Sequence, residues 1–124
     1  MRTLKFKAWH EGRQEMYDVY GFNDDFQFKK GYDTFDPDPR SEVKLLQFTG
    51  LHDTTRTEEF PNGREIYVDF IINDGLSTGR VIYFHPYASF MIELDNGHVY
   101  GLDDSLHRGG KLIGNIHENP ELLK

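Results

Sequence analysis

Between Arg64 and Leu102 the chain repeats one pattern: an apolar, aromatic and β-branched run, then a short reversal. Arg64 to Ile72 is followed by Asn73-Asp74-Gly75, Thr78 to His85 by Pro86, and Ala88 to Leu94 by Asp95-Asn96-Gly97, with His98 to Leu102 closing the series. Runs of this length and composition read as strands. Asn96-Gly97 is a strong hairpin signal, because both residues accept a positive φ at low cost. Four strands joined by reversals this short must pair antiparallel, so the segment reads as a meander curling into a small barrel. Lys111 to His117 adds a last strand, and Asn119-Pro120, a helix cap followed by proline in the first helical position, predicts a single terminal turn.

The first part of the chain is also extended but less regular. Leu4, Phe6 and Ala8 alternate with Thr3, Lys5 and Lys7, the period of a half-buried strand. His10 to Glu15 is polar and turn-like, and Met16 to Tyr20 resumes the strand pattern, which predicts a hairpin. From Gly21 to Arg40 most of the text reads as loop, ending in Asp36-Pro37-Asp38-Pro39, with room for a short strand around Phe26 to Phe28. Glu42 to Phe48 fits either a strand or one helical turn, and Thr49-Gly50 should end it. His52 to Gly63 carries few apolar residues and is expected to be a mobile surface excursion. The expected fold is all-β and mainly antiparallel, with an N-terminal β region over residues 1–50 and a barrel region with its last strand and helical turn over residues 51–124.

Composition removes several functions. The chain has 124 residues and no cysteine, which excludes disulfides, thiolate zinc sites and cysteine nucleophiles. A domain of this size buries roughly two-thirds of its unfolded surface, so a core forms without staples. Lys and Arg number 14 against 21 Asp and Glu, a net charge of -7, and the acid is concentrated after residue 50. Such a field repels nucleic acid unless a local basic patch overrides it. The sole patch assembled from sequence is small: Arg2, Lys5 and Lys7, the candidate nucleic-acid contact. No apolar run resembles a secretory signal or a membrane span, so a cytoplasmic protein is expected.

Candidate chemistry is sparse. The histidines at 10, 52, 85, 98, 107 and 117 match no usual metal-ligand spacing, although His85 and His98 could meet across strands near Glu93. The adjacent acids Asp24-Asp25, Glu58-Glu59 and Asp103-Asp104 point to opposite faces if extended and do not converge on a substrate. Gly109-Gly110-Lys111 lacks the spacing and the Ser or Thr of a phosphate loop, since Leu112 follows. Asp103 to Arg108 reads as a polar connection. No catalytic residue, metal or cofactor is assigned, and the expectation is a protein that is not an enzyme.

Aromatic residues form the surplus, at 15% of the chain. Tyr83, Phe84, Tyr87 and Phe90 surround Pro86, and alternation sends Tyr83 and Phe84 to opposite faces, so at least one ring must find cover outside the barrel interior: by packing against the first-half hairpin, in a subunit interface, or as a stacking platform for single-stranded nucleic acid, against which the negative field decides. Trp9 falls on the face opposite Leu4, Phe6 and Ala8, so either a bulge rotates it or it packs on a second surface, which makes it a lobe-boundary core residue or an interface anchor. These five rings are the candidate interface, and a homo-oligomer is the expected state.

Lys5 to Trp9, Met16-Tyr17, Leu46 to Asp53, Asn62 to Tyr67, and Ile113 to Leu123 together resemble, in order, the YopX family of bacteriophage and prophage proteins. The family pattern usually has Glu-Gly-Asp after Ile-Tyr, whereas Val68-Asp69-Phe70 follows Tyr67 here, and the loop from Asp53 to Asn62 is longer than usual. The resemblance implies phage or prophage origin, an SH3-like barrel in the second half, self-association, and a host or phage protein as partner. It implies no catalytic residues.

Overall fold

The computed structural model describes residues 5–20, 27–30, 33–35 and 43–123, and the chain divides into two compact units, Met1–Phe48 and Thr49–Lys124. The architecture is mainly antiparallel β-sheet with little helix. Among the described residues no helix is long and apolar enough to cross a membrane.

In the first unit, β1 (Phe6–His10), β2 (Glu15–Tyr20), β3 (Gln27–Lys30), β4 (Asp33–Phe35) and the first part of β5 (Val43–His52) lie in the order β4-β3-β2-β1-β5. The β1–β2 hairpin forms where the polar turn predicts it, pairing Lys7 with Asp18 and Ala8 with Tyr17. Ala8 and Tyr17 are buried, with Val19 and Val43 packed against them. Cross-strand neighbours of this kind are the unit of sheet stabilisation. Two expectations change, and of the two readings left open for the segment ending at Phe48 the strand holds. The stretch read mostly as loop contributes β3 and β4 as a hairpin pairing Phe28 with Phe35. Residues 43–48 are strand rather than helical turn, because they hydrogen-bond along β1 from Val43 to Gln47. Thr49-Gly50 does not end that strand: Gly50 takes φ 85° and β5 continues to His52. Arg2, Leu4, Asp24-Asp25 and Asp36 to Pro39 fall outside the described residues.

In the second unit, β6 (Glu65–Tyr67) pairs with β5, and β7 (Phe70–Asn73), β8 (Thr78–Phe84), β9 (Ser89–Glu93), β10 (Val99–Gly101) and β11 (Lys111–Asn115) form a five-stranded sheet. The order β10-β9-β8-β7-β11 is the meander read from the sequence, with the last strand returning to the first. The long run from Arg64 to Ile72 is broken by a turn at Val68-Asp69, where Asp69 takes φ 72°. Phe70, Ile71 and Ile72 are buried in succession, so β7 is covered on both faces, whereas β8 alternates, with Gly79 and Val81 inward. Ile66, Ile71, Val81, Ile92 and Leu102 are almost wholly enclosed.

Two features depart from the sequence reading. The polar connection at 102–107 is a short helix, α1 (Leu102–His107), that buries Leu102 and Ser105. A bulge in β11 between Leu112 and Gly114 leaves Ile113 42% exposed. The terminal turn is present as a 3-10 turn over Pro120–Leu123.

Candidate functional site

The β8–β9 hairpin carries the aromatic candidates. Register places Tyr83 opposite Phe90 and Phe84 opposite Ser89, and a 3-10 turn at His85–Tyr87 closes the hairpin without burying any of its residues. Pro86 fixes the start of that turn, and Ala88 ends it in the left-handed region at φ 49°. The rings then fall into two edge-to-face sets. Tyr83 packs on Phe90 at 5.4 Å and on His85 at 5.0 Å, while Phe84 packs on Tyr87 at 5.2 Å. Tyr87 nevertheless remains 70% exposed and Tyr83 39%. Edge-to-face pairing aligns the positive edge of one ring with the negative face of another, so the rings hold each other in place while staying in solvent.

Trp9 belongs to the first unit and is 3% exposed, its indole N–H donating to Glu11 at 2.7 Å. Four of the five candidate rings therefore share one hairpin. In the basic patch, Lys7 donates to Asp18 at 2.8 Å, and the Lys5 ammonium sits 5.5 Å from the centre of the Phe48 ring. Glu93 is 3.4 Å from the Arg80 guanidinium, His85 lies against Tyr83, and His98 stacks on Tyr100. The structure does not bring Glu93, His85 and His98 together as a ligand set, and no group of three metal-binding side chains occurs among the described residues.

Two buried aspartates, which the sequence presented only as turn and loop residues, organise the second unit. Asp74 lies at the β7–β8 reversal with its carboxylate enclosed. One oxygen accepts from the amides of Leu76 and Ser77; the other accepts from the Tyr100 hydroxyl at 3.2 Å, the Ser105 hydroxyl at 3.3 Å and the Arg108 guanidinium at 3.0 Å. Arg108 also covers the Tyr100 ring. Burial alone would raise the Asp74 carboxyl, but the Ser77 and Leu76 amides and Arg108 outweigh it and hold it at about 2. The Tyr100 hydroxyl is pushed up by burial and by the charge of Asp74.

Asp53 is 1% exposed and does similar work for the loop expected to be mobile. Its carboxylate accepts from the amides of Thr55, Arg64 and Leu112 and from the Thr55 hydroxyl, tying the base of that loop to β11. Burial works to raise this carboxyl and the three amides lower it further than that. Carboxylates whose lone pairs are committed in this way, and which stay ionised, are poor proton acceptors for a substrate. Asp53 and Asp74 are therefore structural hubs. His117 Nε2 lies 3.1 Å from the buried Asp69 carboxylate, which holds the turn after β11 to the β6–β7 turn.

Comparison with known proteins agrees in one direction. A family model described as YopX protein matches residues 5–124. The crystal structure of protein EF1440 from Enterococcus faecalis is similar at a TM-score of 0.66 and 24% identity, covering 100% of both chains. The crystal structure of protein yopX from Bacillus subtilis is similar at 0.55 and 13% identity, covering 100% of this chain and 98% of that one. At these identities the likeness carries the fold alone. No curated protein matches the chain.

Proposed function

Since this chain belongs to the YopX family, we propose that it is a self-assembling, protein-binding module without enzymatic activity, and that the aromatic tip of the β8–β9 hairpin is its contact surface. The observation that carries this reading is the exposure of Tyr87 and Tyr83, at 70% and 39%, on a hairpin whose rings already brace one another. Exposed aromatic rings held in a fixed geometry are typical of protein interfaces, because they bury large area at little cost in conformational entropy.

The barrel reading of the second unit draws support from strand order. A meander of four strands, a short helix, and a fifth strand that returns beside the first is the connectivity of an SH3-like barrel. Phage or prophage origin, which rests on the family resemblance, and a place in the cytoplasm of a bacterial host, the location expected from the sequence, complete the proposal. Size-exclusion chromatography with light scattering at micromolar concentration tests the assembly, and a strict monomer at every concentration overturns it. The alternative, a nucleic-acid-binding accessory factor acting through the SH3-like barrel and the Lys5 and Lys7 edge, gains nothing from Lys7, whose ammonium is held by Asp18. Electrophoretic retardation with single- and double-stranded probes should show no shift, even at low salt.

A further inference from the structure

Charge is distributed around the hairpin in a way that singles out one occupant. From Val81 to Ile92 the sequence contains no Asp, Glu, Lys or Arg, in a chain whose net charge is -7. The residues that bound this run, Arg80 and Glu93, face each other across the strands and pair at 3.4 Å, so their charges cancel locally. An exposed, neutral, aromatic knob thus projects from an acidic molecule. Two acidic bodies repel, and a contact between copies is favoured where neither brings charge to the other. A two-fold contact juxtaposes a patch with itself, so the patch must be neutral or internally balanced to meet its own image. Tyrosine hydroxyls both donate and accept, which lets Tyr83 and Tyr87 pair with the same residues of a second copy.

We propose that the occupant of the β8–β9 tip is the same tip of a second copy, in a two-fold contact that high ionic strength strengthens. This rests on the self-assembly reading above and adds the occupant of that surface, the symmetry and the salt dependence. The sign of the salt effect follows from the charges. Contacts built on ion pairs weaken as salt is added, whereas a neutral contact between like-charged bodies tightens, because screening acts only on the repulsion. The Debye length falls from about 30 Å at 0.01 M salt to roughly 8 Å at 0.15 M, which spans the distances between charges on two small proteins.

Sedimentation equilibrium of the full chain provides the test, at 0.02, 0.15 and 0.5 M sodium chloride, for the wild type, Y83S, Y87S and the control L76S. Leu76 is 79% exposed and lies on a different reversal of the same sheet. The expected result is a dimer as the smallest associated species, tightening about tenfold or more from the lowest to the highest salt. Y87S and Y83S should each weaken it about tenfold or more, with circular dichroism unchanged, while L76S leaves it alone. A wild type that associates equally well after both tyrosine substitutions, or that dissociates as salt rises, overturns the tip contact and leaves self-assembly standing. A wild type that is monomeric under all conditions overturns both.

Discussion

Asp74 has more hydrogen-bond donors than any surface acid of this chain would need, and its energetics follow from that count. Asp74→Ala leaves two backbone amides and the Tyr100 and Ser105 hydroxyls without their acceptor, and should cost about 3 kcal/mol in urea unfolding. Arg108→Ala should cost less, because that side chain is 43% exposed and water replaces its partner in part. The pH dependence has a definite sign. A carboxyl held at about 2 when folded, against an ordinary 3.8, favours the folded state above 3.8, and this contribution fades as pH falls from 3.8 to about 2. Acid titrations of stability should therefore show a component in that window that Asp74→Ala removes; an unchanged profile would contradict the role of the carboxylate. Gly63 is a second residue with no substitute. It sits at φ 92°, and an added Cβ would lie 2.2 Å from the Asp53 carbonyl oxygen, so Gly63→Ala should cost about 2 kcal/mol or more in the same assay.

Among the elements, the loop between β5 and β6 behaves as a strap whose base is fixed and whose tip is free to solvent. Asp53→Ala should raise amide hydrogen exchange over residues 53–64 and at Leu112 together, since one carboxylate serves both segments. Exchange that rises only in the loop would show that β11 does not depend on Asp53. Helix α1 is too short to persist alone, and its stability comes from buried Leu102 and from Ser105 and Arg108 reaching Asp74. The β8–β9 hairpin is the opposite case. Its turn buries nothing and its outer rings contribute little to the core, so loss of Tyr87 should leave stability within about 0.5 kcal/mol while changing association.

For the whole molecule, charge sets the behaviour. Among the described residues, the two carboxyls held below their ordinary range, Asp53 and Asp74, belong to the second unit. Acidification should therefore destabilise that unit as the two protonate, which residue-resolved amide exchange near pH 3 can follow. The net charge of -7 also bears on the proposed self-assembly, because such a field repels polyanions unless a local basic patch overrides it, and a contact between copies is favoured on neutral surface.

Alternation and turn chemistry are local properties, so the meander from β7 to β10, the β1–β2 hairpin, the existence of a last strand at β11 and the turn at Pro120 could be read from residues a few positions apart. The ring cluster was legible for the same reason, since Tyr83, Phe84, Tyr87 and Phe90 are near neighbours in the chain. Asp74 and Asp53 were not, because Asn73-Asp74-Gly75 gives the same turn signal whether its carboxylate faces water or the interior. Only tertiary structure decides that. The donors that make Asp74 a hub lie 26, 31 and 34 residues away, and the Leu112 amide that completes Asp53 lies 59 away. Periodicity determined which segments extend and where they turn; folding determined which polar groups are enclosed together, because only in the packed chain does removal from water oblige each of them to find a partner.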